Sequence, residues 1–131
     1  MKIRITSVFV TNQDTALKFY TEIFGFVKKR DISLGEYRWL TVVSPEEQNG
    51  TELLLEPNAN PAAKQFQEAI FKQGISATQF YVEDIQKEYQ RLKGLGVRFT
   101  MEPTKVTGST IAVFNDTCGN LIQIVQLNQA V

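Results

Sequence analysis

Acid–base and metal chemistry near neutral pH most often begins with histidine, and this chain of 131 residues has none. Ser-His-Asp and Cys-His nucleophile systems and imidazole-based zinc or iron sites are therefore excluded. What remains is one cysteine, a set of carboxylates, and amide and aromatic side chains. Cys118 lies in the turn-like run Asn115-Asp116-Thr117-Cys118-Gly119-Asn120 with no CxxC partner to lower its pKa, so it reads as an unactivated thiol. The side chains suited to engaging a small molecule are Glu56, able to receive a cationic or hydroxyl group, and Gln79, Tyr81 and Gln123, polar anchors for an otherwise apolar pocket. Phe9 and Trp39 are stacking walls for a planar ligand. Each has a purely architectural alternative: Glu56 solvated at a strand end before Pro57, the amides bonded to one another, the aromatics as core.

Two copies of one pattern must position these residues. Residues 3–10 are rich in β-branched and aromatic types and read as a strand; Asn12 or Asp14 then caps a helix with apolar Ala16, Leu17, Phe19, Tyr20 and Ile23, closed by Gly25. Strands are expected over 26–31, 37–43 and 51–56. From residue 76 the order repeats: strand 77–82, a helix from Asp84 carrying Ile85, Tyr89 and Leu92 and ended by Gly94 and Gly96, then strands 97–101, 109–114 and 121–127. Between them, Asn60-Pro61 starts a linker helix ending at Gly74. The expected fold is thus α+β, one domain of two βαβββ modules (1–58 and 76–131) joined by residues 59–75. One helix per module covers one face of four strands, and the other faces are expected to curl around a cleft. Strand parity sets Gln79 with Tyr81, Gln123 with Leu121 and Val125, and Glu52 with Leu54 and Glu56.

Several runs carry a family resemblance. Val10, Asp14, Ala16, Leu17, Phe19-Tyr20 and Phe24-Gly25-Phe26 in the first half, and the segment from Phe114 through Gly119-Asn120-Leu121-Ile122-Gln123 to Val125 in the second, resemble the vicinal oxygen chelate superfamily. Its members are glyoxalase-like, bleomycin-resistance-like and extradiol-dioxygenase-like proteins. The resemblance implies paired βαβββ modules and, in metalloenzyme members, a divalent metal held by two histidines and two carboxylates. At the matched positions this chain has Ile5, Leu54, Ala77 and Gln123, with Glu56 reachable only by a register slip of two. No metal and no cofactor are expected from that set.

Composition fits a soluble domain able to build a core, with 43% hydrophobic, 21% charged and 11% aromatic residues. Fourteen basic residues balance fourteen acidic ones, so no concentrated positive field favours nucleic acid or an anionic membrane. The lone cysteine, and an N-terminus without a long apolar stretch, point to the cytoplasm. The linker helix carries Phe66, Ala69, Ile70 and Phe71 and would cover its own sheet or meet a second subunit; a homodimer is the expected assembly. The charged runs Glu46-Glu47, Lys28-Lys29-Arg30 and Glu83-Asp84 read as solvated surface and helix-start charge. The functional expectation is a metal-free binding protein for a partly aromatic or apolar molecule, with no catalytic residue identified. A glyoxalase- or dioxygenase-like enzyme using Glu56, or an interaction partner working through the linker helix, are the alternatives.

Overall fold

In the computed structural model, which describes residues 1–128, the helix starts are set by side-chain caps. Asn12 Oδ1 accepts from the Thr15 N–H at 2.9 Å and Asp84 Oδ1 from Lys87 at 3.1 Å, each satisfying a first-turn donor that has no partner within the helix. Asn60 Oδ1 does the same for Ala62, ahead of Pro61. These caps open helices α1 (Gln13–Lys18), α3 (Ile85–Gly94) and α2 (Pro61–Lys72) respectively. The helices end at glycines with positive φ: Gly25, Gly74 and Gly96, a conformation that a Cβ would strain. Helix α1 departs from the sequence expectation by widening into a π-helical stretch, Phe19–Ile23. There Thr21 Oγ1 donates back to Leu17 O at 2.7 Å, which loosens the backbone ladder, and Phe24 N bonds five residues back to Phe19 O. The wider turn gathers Phe19, Tyr20 and Phe24 into edge-on contact, with ring centroids 4.7 to 6.4 Å apart.

Among the described residues eight strands form two four-stranded sheets of identical order, so the expected α+β fold of paired βαβββ modules is what the chain adopts. The first sheet runs β1-β4-β3-β2 with β1 (Ile5–Val10), β2 (Val27–Leu34), β3 (Tyr37–Val43) and β4 (Glu52–Pro57). The second runs β5-β8-β7-β6 with β5 (Thr78–Tyr81), β6 (Phe99–Val106), β7 (Ser109–Asn115) and β8 (Leu121–Leu127). In each, the first and last strands pair in parallel and the others antiparallel. Edge strands β2 and β6 run past their expected ends. Tight turns at Gly35 (φ +68°) and Gly108 (φ +78°) keep Leu34 opposite Tyr37 and Val106 opposite Ser109. Pro103 is tolerated because β6 is an edge strand whose pairing is interrupted around it.

The described residues divide into two compact units, Met1–Gln67 with Thr117–Gly119, and Glu68–Asp116 with the described residues from Asn120 on. In the first, Val8, Val10, Leu40, Val42, Leu53 and Leu55 face Ala16 and Tyr20 and are buried. Gln67 belongs to this core. Its Nε2 donates to Phe9 O and Cys118 O at 3.0 and 3.1 Å, while its Oε1 accepts from Asn58. In the second unit, Ala112, Phe114, Ile122 and Ile124 pack with Ile85 and Leu92, and Asp116 receives Asn120 N–H and Nδ2–H at 3.0 and 2.8 Å, closing the turn before β8.

Candidate functional site

With a helix on one face of each sheet, the side chains of opposite parity point the other way. In the first unit that face carries Ile5, Ser7 and Phe9 on β1, Glu52, Leu54 and Glu56 on β4, Tyr37, Trp39, Thr41 and Val43 on β3, and Arg30, Ile32 and Leu34 on β2. Ile5, Ile32, Leu34, Tyr37 and Trp39, every large apolar residue exposed on the strands of this sheet, lie on that face. Trp39, 38% exposed, sits opposite Ile32; Phe9 pairs with Glu56. Phe9, Trp39 and Glu56 therefore share a face of one sheet.

Two carboxylates share this face, as strand parity predicts: Glu56, and Glu52, which pairs with Ile5. Glu52 Oε1 accepts from Thr41 Oγ1 at 2.7 Å and from Arg30 Nε at 3.0 Å, with its side chain only 10% exposed. The Thr41 hydroxyl, followed by the Arg30 guanidinium, holds this carboxyl below the usual range against the opposing effect of burial. Lys28, Lys29 and Arg30 are exposed, as expected of solvated charge, but half-exposed Arg30 also reaches Glu52, because the bulge between Lys28 and Arg30 turns it onto the same face as Thr41. Nothing local in the sequence marks the Glu52–Thr41–Arg30 group, because its members come from three strands.

Gln13, buried at the start of α1, positions the neighbouring strands. Its Nε2 donates to Arg38 O and Leu55 O at 2.7 and 2.9 Å, and its Oε1 accepts from Arg38 N–H at 3.0 Å. The β3–β4 ladder is limited to Thr41↔Leu54 and Val42↔Leu53; beyond it the Gln13 amide bonds backbone groups on both strands. Arg38 in turn is bonded by Asp31, at 3.0 and 2.9 Å, and by Asp14.

In the second unit the face opposite α3 carries Gln79 and Tyr81 on β5, Leu121, Gln123, Val125 and Leu127 on β8, Ile111 and Val113 on β7, and Met101 and Val106 on β6. Gln79 and Gln123 are register partners, and Gln123 Nε2 donates to Gln79 Oε1 at 2.8 Å. Tyr81 is 64% exposed, and Met101, Val106 and Leu127 are exposed around the same face. The register of this sheet puts Val113 where the first has Thr41, and Leu121 where it has Glu52. The buried charge belongs to the first unit alone of these two equivalent positions.

The positions where metalloenzyme members of the resembled superfamily carry ligands hold Ile5, Leu54, Ala77 and Gln123. Three of these side chains have no donor atom, and the amide of Gln123 is engaged by Gln79. Among the described residues no three His, Cys, Asp or Glu side chains come together. This donor set does not fit a transition metal. Also among the described residues, no helix is long and apolar enough to cross a membrane.

Comparison with known proteins adds one family match and three similar proteins. The profile of the Glyoxalase/Bleomycin resistance protein/Dioxygenase superfamily matches residues 2–124. Uncharacterized protein YurT of Bacillus subtilis (strain 168) is 65% identical over 126 residues, spanning 96% of this chain and 99% of that one. Among solved structures, UcmS2 superposes with a TM-score of 0.82 at 34% identity, covering 95% of this chain and 97% of that one. TnmS3, an antibiotic binding protein from Streptomyces sp. CB03234, shares the fold with a TM-score of 0.76 at 24% identity, over 98% and 97% of the two chains.

Proposed function

We propose that this chain, which belongs to the Glyoxalase/Bleomycin resistance protein/Dioxygenase superfamily, is a small-molecule-binding protein that takes a partly aromatic or apolar organic ligand without a metal. The observation that carries the reading is the character of the two sheet faces turned away from the helices. Each exposes aromatic and aliphatic side chains, Trp39 and Ile32 in one unit and Tyr81 and Met101 in the other, interrupted by a few fixed polar groups. Burying such side chains against a ligand is favourable, and the amide pair Gln79–Gln123 supplies orientation. TnmS3, with the same fold, is described as an antibiotic binding protein, which supports small-molecule binding as a use of this scaffold.

Proton abstraction is the weaker reading. The most buried carboxylate of either face, Glu52, is held in its charged form by two donors, which lowers its basicity and suits it to accepting hydrogen bonds. The test is a thermal-shift screen of the chelator-treated protein against planar aromatic compounds, followed by calorimetric titration. Saturable, stoichiometric binding is expected; metal-dependent turnover of a thiol adduct would replace this reading with an enzymatic one.

A further inference from the structure

The Glu52 carboxylate is only half used. Oε1 takes both the Thr41 hydroxyl and the Arg30 guanidinium, whereas no described donor reaches Oε2. Among the described residues no buried side-chain oxygen or nitrogen lacks a partner, so Oε2 touches solvent although the side chain as a whole is about nine-tenths buried. A charged oxygen held at the surface of an apolar face is an acceptor fixed in place before any ligand arrives, with its rotamer already set by two bonds. Its surroundings are Ile5 alongside it on β1, with Trp39 and Ile32 two residues on from Thr41 and Arg30.

Resting on the binding function proposed above, we infer that Glu52 Oε2 is the specificity-determining acceptor of the first unit and receives a neutral hydrogen-bond donor, a hydroxyl or N–H, carried by an aromatic ligand. Neutrality follows from Arg30. The carboxylate's charge is already countered 3.0 Å away, and a second cation at Oε2 would lie close to the guanidinium as well as to the carboxylate, so attraction and repulsion largely offset one another. A neutral donor pays no such repulsion and gains a charge-assisted bond. The equivalent positions of the second unit, Leu121 and Val113, offer no such acceptor, so discrimination between donor and non-donor ligands belongs to the first unit.

Three probes with one ring system test this by calorimetric titration: naphthol, its methyl ether methoxynaphthalene, and naphthylmethylammonium. The wild-type protein should bind naphthol about tenfold more tightly than the ether, the value of one charge-assisted bond. In Glu52→Gln the amide must keep its oxygen toward Thr41 and Arg30 and turn its NH2 outward, so the preference for naphthol should vanish. A second variant, Arg30→Gln, alters a half-exposed side chain and should raise the affinity of naphthylmethylammonium relative to naphthol by several-fold. Equal binding of naphthol and its ether by the wild-type protein overturns the assignment of Glu52 while leaving the binding function standing. An unchanged cation-to-naphthol ratio in Arg30→Gln overturns it as well, and failure of all three rings to bind saturably defeats both the assignment and the reading beneath it.

Discussion

Replacing Gln13 by Leu keeps the side chain's bulk and deletes its polar end. Three bonds disappear together: those to Arg38 O and Leu55 O, and the one accepted from Arg38 N–H. The bond to Leu55 is fully buried and the two to Arg38 partly so, and the β3–β4 ladder has no pairing there to take up the freed groups. A stranded buried backbone group costs about 1–3 kcal/mol, and water reaching the Arg38 side recovers part of it, so the total loss should be about 2–4 kcal/mol. For a chain of this length that corresponds to a fall in Tm of roughly 10 °C. Urea unfolding followed by circular dichroism measures it, with Asp14→Asn as control, since Asp14 is 86% exposed and its pairing with Arg38 is worth at most about 0.5 kcal/mol. A Gln13→Leu loss no larger than the control would refute the argument that this amide substitutes for the missing ladder.

Gly119→Ala should destabilise by about 2–3 kcal/mol in the same assay, because φ is +96° and a Cβ would stand 2.7 Å from Gln67 Nε2, the donor that ties Phe9 O to Cys118 O. The folded-state pKa of Glu52 lies below its ordinary 4.5, so its stabilisation is complete above about that pH and is lost as pH falls through the folded value. Thr41→Val removes the largest cause of the lowering, so the gap between folded and unfolded pKa narrows and the variant should lose less stability than the wild-type protein as pH falls below about 4.5, giving a shallower acid limb in a Tm-against-pH curve; a limb as steep as the wild type's would count against the assignment. Tyr81→Ala should weaken aromatic ligands by about 1–2 kcal/mol in titration, yet leave Tm within about 2 °C because the side chain is already largely in solvent.

The repeat was legible because its signals are local. Asn12 and Asp84 announce the two helix starts, the alternation of β8 fixes its bounds at Leu121–Leu127, and the glycines mark each stop. The far ends of β2 and β6 were not legible: each continues to a glycine turn that only the strand across from it justifies, and Pro103 resembles a terminator until β6 is known to be an edge. Polar residues acting at long range were hidden for the same reason. Gln13 sits among the polar residues of a helix start, and Gln67 between exposed neighbours on α2, yet each joins segments 25 to 58 residues away. Parity did reveal that Glu52 shares a face with Glu56; that Thr41 and Arg30 converge on it depends on register and on a bulge, neither of which strand composition encodes.

Binding of an organic molecule on a sheet face without a metal is tested most directly by calorimetric titration of chelator-dialysed wild-type protein with naphthol, beside Glu52→Gln. Saturable binding that survives metal removal and weakens in Glu52→Gln is expected; binding that vanishes on dialysis and returns with added zinc or nickel would overturn the metal-free reading.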